Sequence, residues 1–149
     1  RKLAIITGDN HKLRKRISRR TMYQKDTRIC FAGTVYDQKL LQMIRENAFA
    51  YIHGHEVGGT NPSLLEAMSC TNVNLLLDVV FNQEVGSDAA LSWDNKEGNL
   101  VQLIAFVERM SEEGRTLIGE KAKRRIQEYY NWYKIVNAYK DFFEADREY

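Results

Sequence analysis

The stretch EVGGTNPSLLEAM, residues 56–68, concentrates residue types that suit the binding of an anion. Pro62 is the only proline of the chain and suits the first position of a helix, where its missing N–H leaves nothing unpaired. Asn61 then becomes the N-cap of that helix. Gly58 and Gly59 carry no side chains that would hold a phosphate away from the backbone. The sequence therefore predicts an anion site at a helix start, where the helix dipole is positive.

Glu66 adds a second kind of chemistry to the same stretch. It lies about one turn past Pro62, on the side that faces the predicted anion, and the N–H groups of Ser63 and Leu64 point out of the helix start. A carboxylate beside a phosphate would repel it, so sugar hydroxyls are the expected partners of Glu66, as for the acidic residue of Rossmann sites. The alternative is that Glu66 only stabilises the helix dipole, by about 0.3–1 kcal/mol.

Alternating strand and helix patterns surround this stretch. Apolar runs predict strands at 3–7, 28–33, 48–54 and 73–79, and periodic segments predict helices at 37–47, 62–70 and through the last fifty residues. The strands are continuous apolar runs, which is typical of parallel sheets with helices on both faces. The predicted class is α/β, and residues 56–68 follow the third strand, at the sheet edge where ligands bind.

Composition and cysteine usage set broader limits. The chain has 149 residues, of which 44% are hydrophobic and 28% charged, as expected for one soluble globular domain. No apolar run approaches the ~20 residues of a membrane span. Cys30 and Cys70 lie in apolar segments without a CxxC spacing, so we expect both to be reduced core residues of a cytoplasmic protein.

A basic cluster near the start of the chain permits a different function. The segment HKLRKRISRR, residues 11–20, has side chains that could share one helical face: Lys12, Arg16 and Arg19 or Arg20. Such a face can bind nucleic acid or anionic lipid. The alternative is a solvated helix anchored by Leu13 and Ile17, spaced i,i+4.

Other arrangements are less specific. His53, His55 and Glu56 stand together, but two imidazoles without a clear third ligand are a weak indication of a metal site. The sequence has no Gly-x-Ser-x-Gly element that would present a nucleophilic serine. The aromatic residues of the last helices fall at helical spacings and are expected to pack: Tyr129, Tyr130, Trp132, Tyr133 and Tyr139.

The motif GGTNPSLLEAM resembles the donor-binding signature of the retaining, metal-independent glycosyltransferases with the GT-B architecture. The longer stretch HGHEVGGTNPSLLEAM is most similar to bacterial rhamnosyltransferases that build cell-wall and capsular polysaccharide from dTDP-rhamnose. The segments before and after it resemble that family in the same order, over nearly the whole chain. The resemblance implies a Rossmann-like sheet flanked by helices, the C-terminal half of a GT-B glycosyltransferase, ending in a helical tail.

The resemblance also assigns residues and ligands. It implies that the diphosphate of the donor is held by Gly59, Thr60, Asn61, Ser63 and Leu64. Glu66 would hold the sugar of the nucleotide, and Val35, in the loop 34–36, would lie beside the base. No cofactor and no metal are implied. The resemblance assigns no catalytic residue to this chain, because we expect the acceptor domain of the family to be missing from it.

Two departures from the family pattern stand out. The first acidic residue of the Glu-x7-Glu pattern is replaced by Gly58, close to where the transferred sugar would lie. The chain also opens at what resembles the second strand of the donor domain, so we expect a single-domain fragment without the first strand–helix unit and without the N-terminal acceptor domain. In the usual strand order 3-2-1-4-5-6 the missing strand is central.

The sequence thus predicts a hexosyltransferase domain, with the fragment alone inactive. The expected donor is dTDP-rhamnose, with a UDP-sugar as the second candidate, and the sugar passes with retention to a growing cell-surface polysaccharide. The expected location is cytoplasmic, at the inner face of the membrane through a lipid-linked acceptor, with no nucleic-acid partner. The alternative is a non-catalytic nucleotide or nucleic-acid binding module that uses residues 12–20.

Overall fold

A computed structural model of the protein describes residues 1–8, 15–18 and 25–145. The described residues form two compact units, Arg1–Leu41 and Gln42–Tyr149. Residues 15–18 are helical, but most of the predicted basic face, including Lys12, Arg19 and Arg20, lies outside the described residues. Its role in binding nucleic acid or lipid stays a prediction.

The first unit contains a two-stranded parallel sheet. Strand β1 (Leu3–Ile6) pairs with β2 (Ile29–Gly33), and the register shifts between Ile5 and Ile6. Cys30 of β2 is exposed, and Cys70 is half-buried, so the prediction that both are core residues is wrong. An apolar run predicts a strand but does not fix which of its two faces is covered, and Cys30 points to the face of β2 that solvent reaches.

The remaining elements follow in strict order along the chain. They are α1 (Gln38–Glu46), β3 (Tyr51–His53), α2 (Pro62–Met68), β4 (Asn74–Leu77), α3 (Val80–Gly86), β5 (Leu91–Trp93), α4 (Asn99–Arg109), α5 (Glu112–Tyr129) and α6 (Trp132–Ala145), with a 3-10 turn at Ser87–Ala89. Strands β3, β4 and β5 form a parallel sheet with β4 at its centre. The α/β class with flanking helices is therefore confirmed, although the strands form two sheets and not one.

Both faces of the three-stranded sheet are covered. The four residues of β4 are all buried, as its continuous apolar run predicts. Leu76 packs with Leu64 of α2 and Ala122 of α5 on one face. Leu75 packs with Val107 of α4 on the other face. Because successive side chains of a strand point to opposite faces, one short strand supplies the centre of both clusters.

The C-terminal helices confirm the predicted helical tail but not its packing. No residue of α6 is buried, and its largest side chain, Trp132, is 80% exposed. Tyr130 packs against the core, whereas Tyr129, Tyr133 and Tyr139 are exposed. The prediction that these aromatic residues pack is therefore wrong for most of them. Across the described part of the chain, no helix combines the length and apolar character needed to cross a membrane.

Candidate functional site

The predicted site lies on an exposed loop at the carboxyl end of β3. Every residue from 54 to 60 is exposed, and α2 begins at Pro62. Asn61 has an extended backbone, and its Oδ1 accepts a hydrogen bond of 2.9 Å from the N–H of Ser63. The predicted N-cap and the predicted first helical residue are both confirmed. In parallel sheets this edge is where ligands usually bind.

The backbone donors of the site differ from those expected at the helix start. Asn61 engages the N–H of Ser63 through its side chain and the N–H of Leu64 through its carbonyl oxygen, at 3.0 Å. Both N–H groups, which were expected to point out of the helix start toward an anion, are therefore already engaged by the cap. Among the described residues, the N–H groups of Gly59 and Thr60 and the hydroxyls of Thr60 and Ser63 have no protein partner. These four groups are among the donors open to a ligand.

The two glycines of the loop differ in backbone conformation and in the space around them. Gly58 has φ of 131°, a conformation that side chains rarely adopt. Gly59 does not have a positive φ of this kind, and a Cβ added to it would meet no atom within 4 Å. The free space around Gly59 is therefore space into which a ligand can approach the backbone. Leu64 contributes no side chain to this space, since its side chain is completely buried in the core.

Glu66 lies on the exposed side of α2 and makes an ion pair that the sequence did not indicate. Its Oε2 accepts a hydrogen bond of 2.7 Å from Nη1 of Arg45, at the end of α1. The Arg45 side chain is 10% exposed and the Glu66 side chain 50% exposed. Oε1 of Glu66 has no hydrogen bond within the described residues. One carboxylate oxygen is thus fixed, and the other has no partner among the described residues.

Histidines line the start of the loop. The ring of His53 is buried and stacks against that of His55, with centroids 5.9 Å apart. Burial, and then the charge of His55, lowers the pKa of His53, so its ring is neutral at neutral pH. The Tyr51 hydroxyl lies 3.2 Å from Nδ1 of His53, and burial raises the pKa of that hydroxyl. In residues 1–8, 15–18 and 25–145, no group of three or more metal-ligating side chains comes together.

Asn82 connects this loop to the centre of the sheet. Its Nδ2 donates to the carbonyl oxygens of His55, at 3.1 Å, and Leu77, at 3.0 Å. Asn82 is completely buried and stands in α3, a helix that the sequence analysis did not predict. Its place five residues after the end of β4 is the one sequence signal that could have indicated a role. Asn82 therefore fixes the base of the loop.

The predicted site residues fall in both units. Six of them, from Gly59 to Glu66, belong to the second unit and lie on one exposed loop and the helix that follows it. Val35 belongs to the first unit and is half-buried, two residues after the end of β2. The assignment of Val35 to the base stays a prediction.

The fold and the loop together define an α/β domain with an exposed, glycine-containing ligand loop at the carboxyl end of parallel strands. No protein-family profile matches the sequence. The sequence is 32% identical over 121 residues to an uncharacterized glycosyltransferase of Methanocaldococcus jannaschii, covering 78% of this chain and 30% of that protein. The structure is similar to sucrose-phosphate synthase from Thermosynechococcus elongatus, with a TM-score of 0.78, 18% identity, and coverage of 97% of this chain and 39% of that one.

The two similarities support a glycosyltransferase with the GT-B architecture. The structural similarity concerns the fold alone, since 18% of the residues are identical. The sequence similarity gives the link to glycosyltransferases. In both cases the chain spans well under half the length of the protein that it matches.

Proposed function

We propose that this chain is the donor-nucleotide domain of a glycosyltransferase, and that the loop 54–60 with the start of α2 holds the nucleotide diphosphate. The observation that carries the proposal is the exposed loop itself, with free donors at Gly59 and Thr60 and open space above Gly59. A diphosphate needs several donors at close range, and backbone N–H groups without side chains in the way supply them.

In this proposal the diphosphate is bound mainly by the loop 54–60 and less by the start of α2, and we call these donors the diphosphate cradle. The N–H groups of Gly59 and Thr60 and the hydroxyls of Thr60 and Ser63 donate to the phosphate oxygens. Asn61 organises the turn, since its side chain and carbonyl already bind the first N–H groups of α2. Leu64 anchors the helix in the core. Glu66 then accepts hydrogen bonds from the nucleotide sugar through Oε1.

The finer proposal follows the resemblance of HGHEVGGTNPSLLEAM. The donor is dTDP-rhamnose, with a UDP-sugar as the second candidate, and transfer proceeds with retention and without a metal. The acceptor is a growing cell-surface polysaccharide of the capsule or cell wall, held by a second domain. The reaction takes place in the cytoplasm, at the inner face of the membrane, where a lipid-linked acceptor would lie.

The diphosphate cradle is tested by Gly59→Val. We expect this change to weaken the binding of dTDP and UDP by about tenfold or more, because the side chain occupies the space through which phosphate reaches the backbone donors. The melting temperature without ligand stays within about 2 °C, since a Cβ at this position meets no other atom. Isothermal titration calorimetry and thermal denaturation measure the two quantities.

Gly54→Ala is the matched control for Gly59→Val in the same loop. A methyl group there makes an ordinary contact, 3.8 Å from the Trp93 ring, and so leaves the donors of Gly59 and Thr60 accessible. Its nucleotide affinity should equal that of the unchanged protein. If Gly59→Val and the unchanged protein bind the nucleotides with equal affinity, the diphosphate does not bind at this loop.

A second prediction concerns catalysis. We expect the 149-residue chain by itself to release no dTDP from dTDP-rhamnose above a no-protein blank, whichever divalent metal is added. In the architecture that it resembles, transfer takes place in a cleft between two domains, and the chain spans 30% of its glycosyltransferase relative. A coupled assay for free dTDP measures this, with heat-denatured chain as the control. Turnover above the blank would contradict the two-domain proposal.

A further inference from the structure

The contact between Arg45 and Glu66 joins two helices that are far apart in the chain. Arg45 stands in the last turn of α1, and Glu66 stands in α2, 21 residues later. Both belong to the second unit. The guanidinium is almost completely buried, whereas the carboxylate is half exposed. The pair is therefore asymmetric, with an interior cation that reaches a carboxylate at the surface.

Arg45 is held by its backbone as well as by its side chain. Its carbonyl oxygen accepts a hydrogen bond of 2.9 Å from Oγ1 of Thr71, which is completely buried. Thr71 in turn donates its N–H to the carbonyl oxygen of Ala67, at 2.7 Å, in the helix that carries Glu66. The two helices are thus tied together at two points, so the distance from Arg45 to Glu66 is fixed by buried structure.

This arrangement fixes one carboxylate oxygen and leaves the other available. Nη1 of Arg45 donates only to Oε2 of Glu66, so the contact is not bidentate and does not occupy Oε1. A free glutamate samples many rotamers, and ordering it when a ligand binds weakens that binding. The positive charge of Arg45 also offsets the repulsion between Glu66 and a nearby diphosphate.

We propose that Arg45 is a positioning residue for Glu66, which it holds so that Oε1 accepts hydrogen bonds from the sugar hydroxyls of the bound nucleotide, one in a deoxyribonucleotide and two in a ribonucleotide. This inference rests on the proposed function, since it assumes a nucleotide at this site. The competing explanation is that Glu66 only neutralises a buried arginine. The two explanations differ in whether the pair discriminates between nucleotides that differ by one hydroxyl.

The test compares UDP with 2′-deoxy-UDP, which share base and diphosphate and differ in a single hydroxyl. We expect the unchanged chain to bind UDP about tenfold more tightly than 2′-deoxy-UDP. In Arg45→Met the affinity for UDP falls about tenfold, through the lost ordering of Glu66, and the ratio of the two dissociation constants approaches one. A structural role would lower both affinities equally and leave the ratio unchanged.

Two further variants keep the test decisive. Arg45→Lys retains the positive charge and should restore part of the ratio, and it replaces Arg45→Met if that variant does not fold. Lys121→Met is the matched control, because it removes another ion pair between separate elements. Nζ of Lys121 lies 3.1 Å from Oδ2 of Asp88, and neither side chain has a hydrogen bond or ion pair with residues 54–60. The ratio for this control should equal that of the unchanged chain. Isothermal titration calorimetry gives all the constants, and circular dichroism confirms folding.

The outcomes separate the two proposals. If the unchanged chain binds neither nucleotide, the proposed function fails, and the role of Arg45 fails with it. If the chain binds both nucleotides equally, or if its preference for UDP survives in both Arg45 variants, Arg45 does not position Glu66, and the proposed diphosphate site at the loop stands. Loss of the preference in Arg45→Met, with the control unchanged, supports the positioning role.

Discussion

Gly119→Ala is expected to lower the free energy of unfolding by about 3 kcal/mol, because the added methyl group overlaps the backbone of Asn72. Gly119 lies in α5, where the helix crosses the chain just before β4. A Cβ at this position would lie 2.6 Å from the Cα of Asn72 and 2.9 Å from its Cβ. Backbone atoms cannot rotate away, so α5 must move off the sheet, and the cluster around Leu64 and Ala122 loosens.

Urea denaturation followed by circular dichroism measures this loss, and Gly114→Ala in the same helix is its control. The Cβ of an alanine at 114 would lie 3.3 Å from Oγ of Ser111, the N-cap oxygen that accepts from the N–H of residue 114, so this oxygen has to shift by only a few tenths of an ångström. Alanine also favours a helix by about 1 kcal/mol over glycine, so Gly114→Ala should be neutral or slightly stabilising. Equal stability of the two variants would show that α5 does not approach Asn72 this closely.

These two glycines illustrate what the sequence could and could not predict about the fold. The apolar run of β4 predicts a strand buried on both faces because the signal is contained in its own residues. β5 has only three residues, too few for a pattern, and α3 was not predicted either. The requirement for glycine at 119 arises from a contact with Asn72, 47 positions away, that no local pattern records.

The residues of the site also fall into those that the local sequence predicts and those that only the structure shows. Asn61 and Pro62 were predicted correctly because an N-cap and a first helical residue depend on neighbouring residues. The same cap also engages the N–H groups of Ser63 and Leu64. These two groups are therefore not available to an anion, although the first N–H groups of a helix have no partner within the helix. The pairing of Arg45 with Glu66 joins separate helices and could be found only from the structure.

Glu66→Ala is expected to change two quantities at once. Nucleotide binding should weaken tenfold to a hundredfold, because a hydrogen bond from a hydroxyl to a charged acceptor contributes ~1.5–3 kcal/mol. The free energy of unfolding should also fall, by about 1–2 kcal/mol, because the buried guanidinium of Arg45 loses its acceptor. The lower part of the usual range applies because solvent reaches half of the Glu66 side chain.

Glu66→Gln separates these two effects. Its amide oxygen can still accept from Nη1 of Arg45, so most of the stability returns, whereas the loss of charge leaves nucleotide affinity between that of the alanine variant and that of the unchanged chain. A ribonucleotide offers two sugar hydroxyls and a deoxythymidine nucleotide one, so both variants should lose more affinity for UDP than for dTDP. Calorimetry with both diphosphates, beside urea denaturation of the same samples, tests this order. Equal affinities in all three proteins, with stability alone changed, would mean that Glu66 serves Arg45 and not a nucleotide.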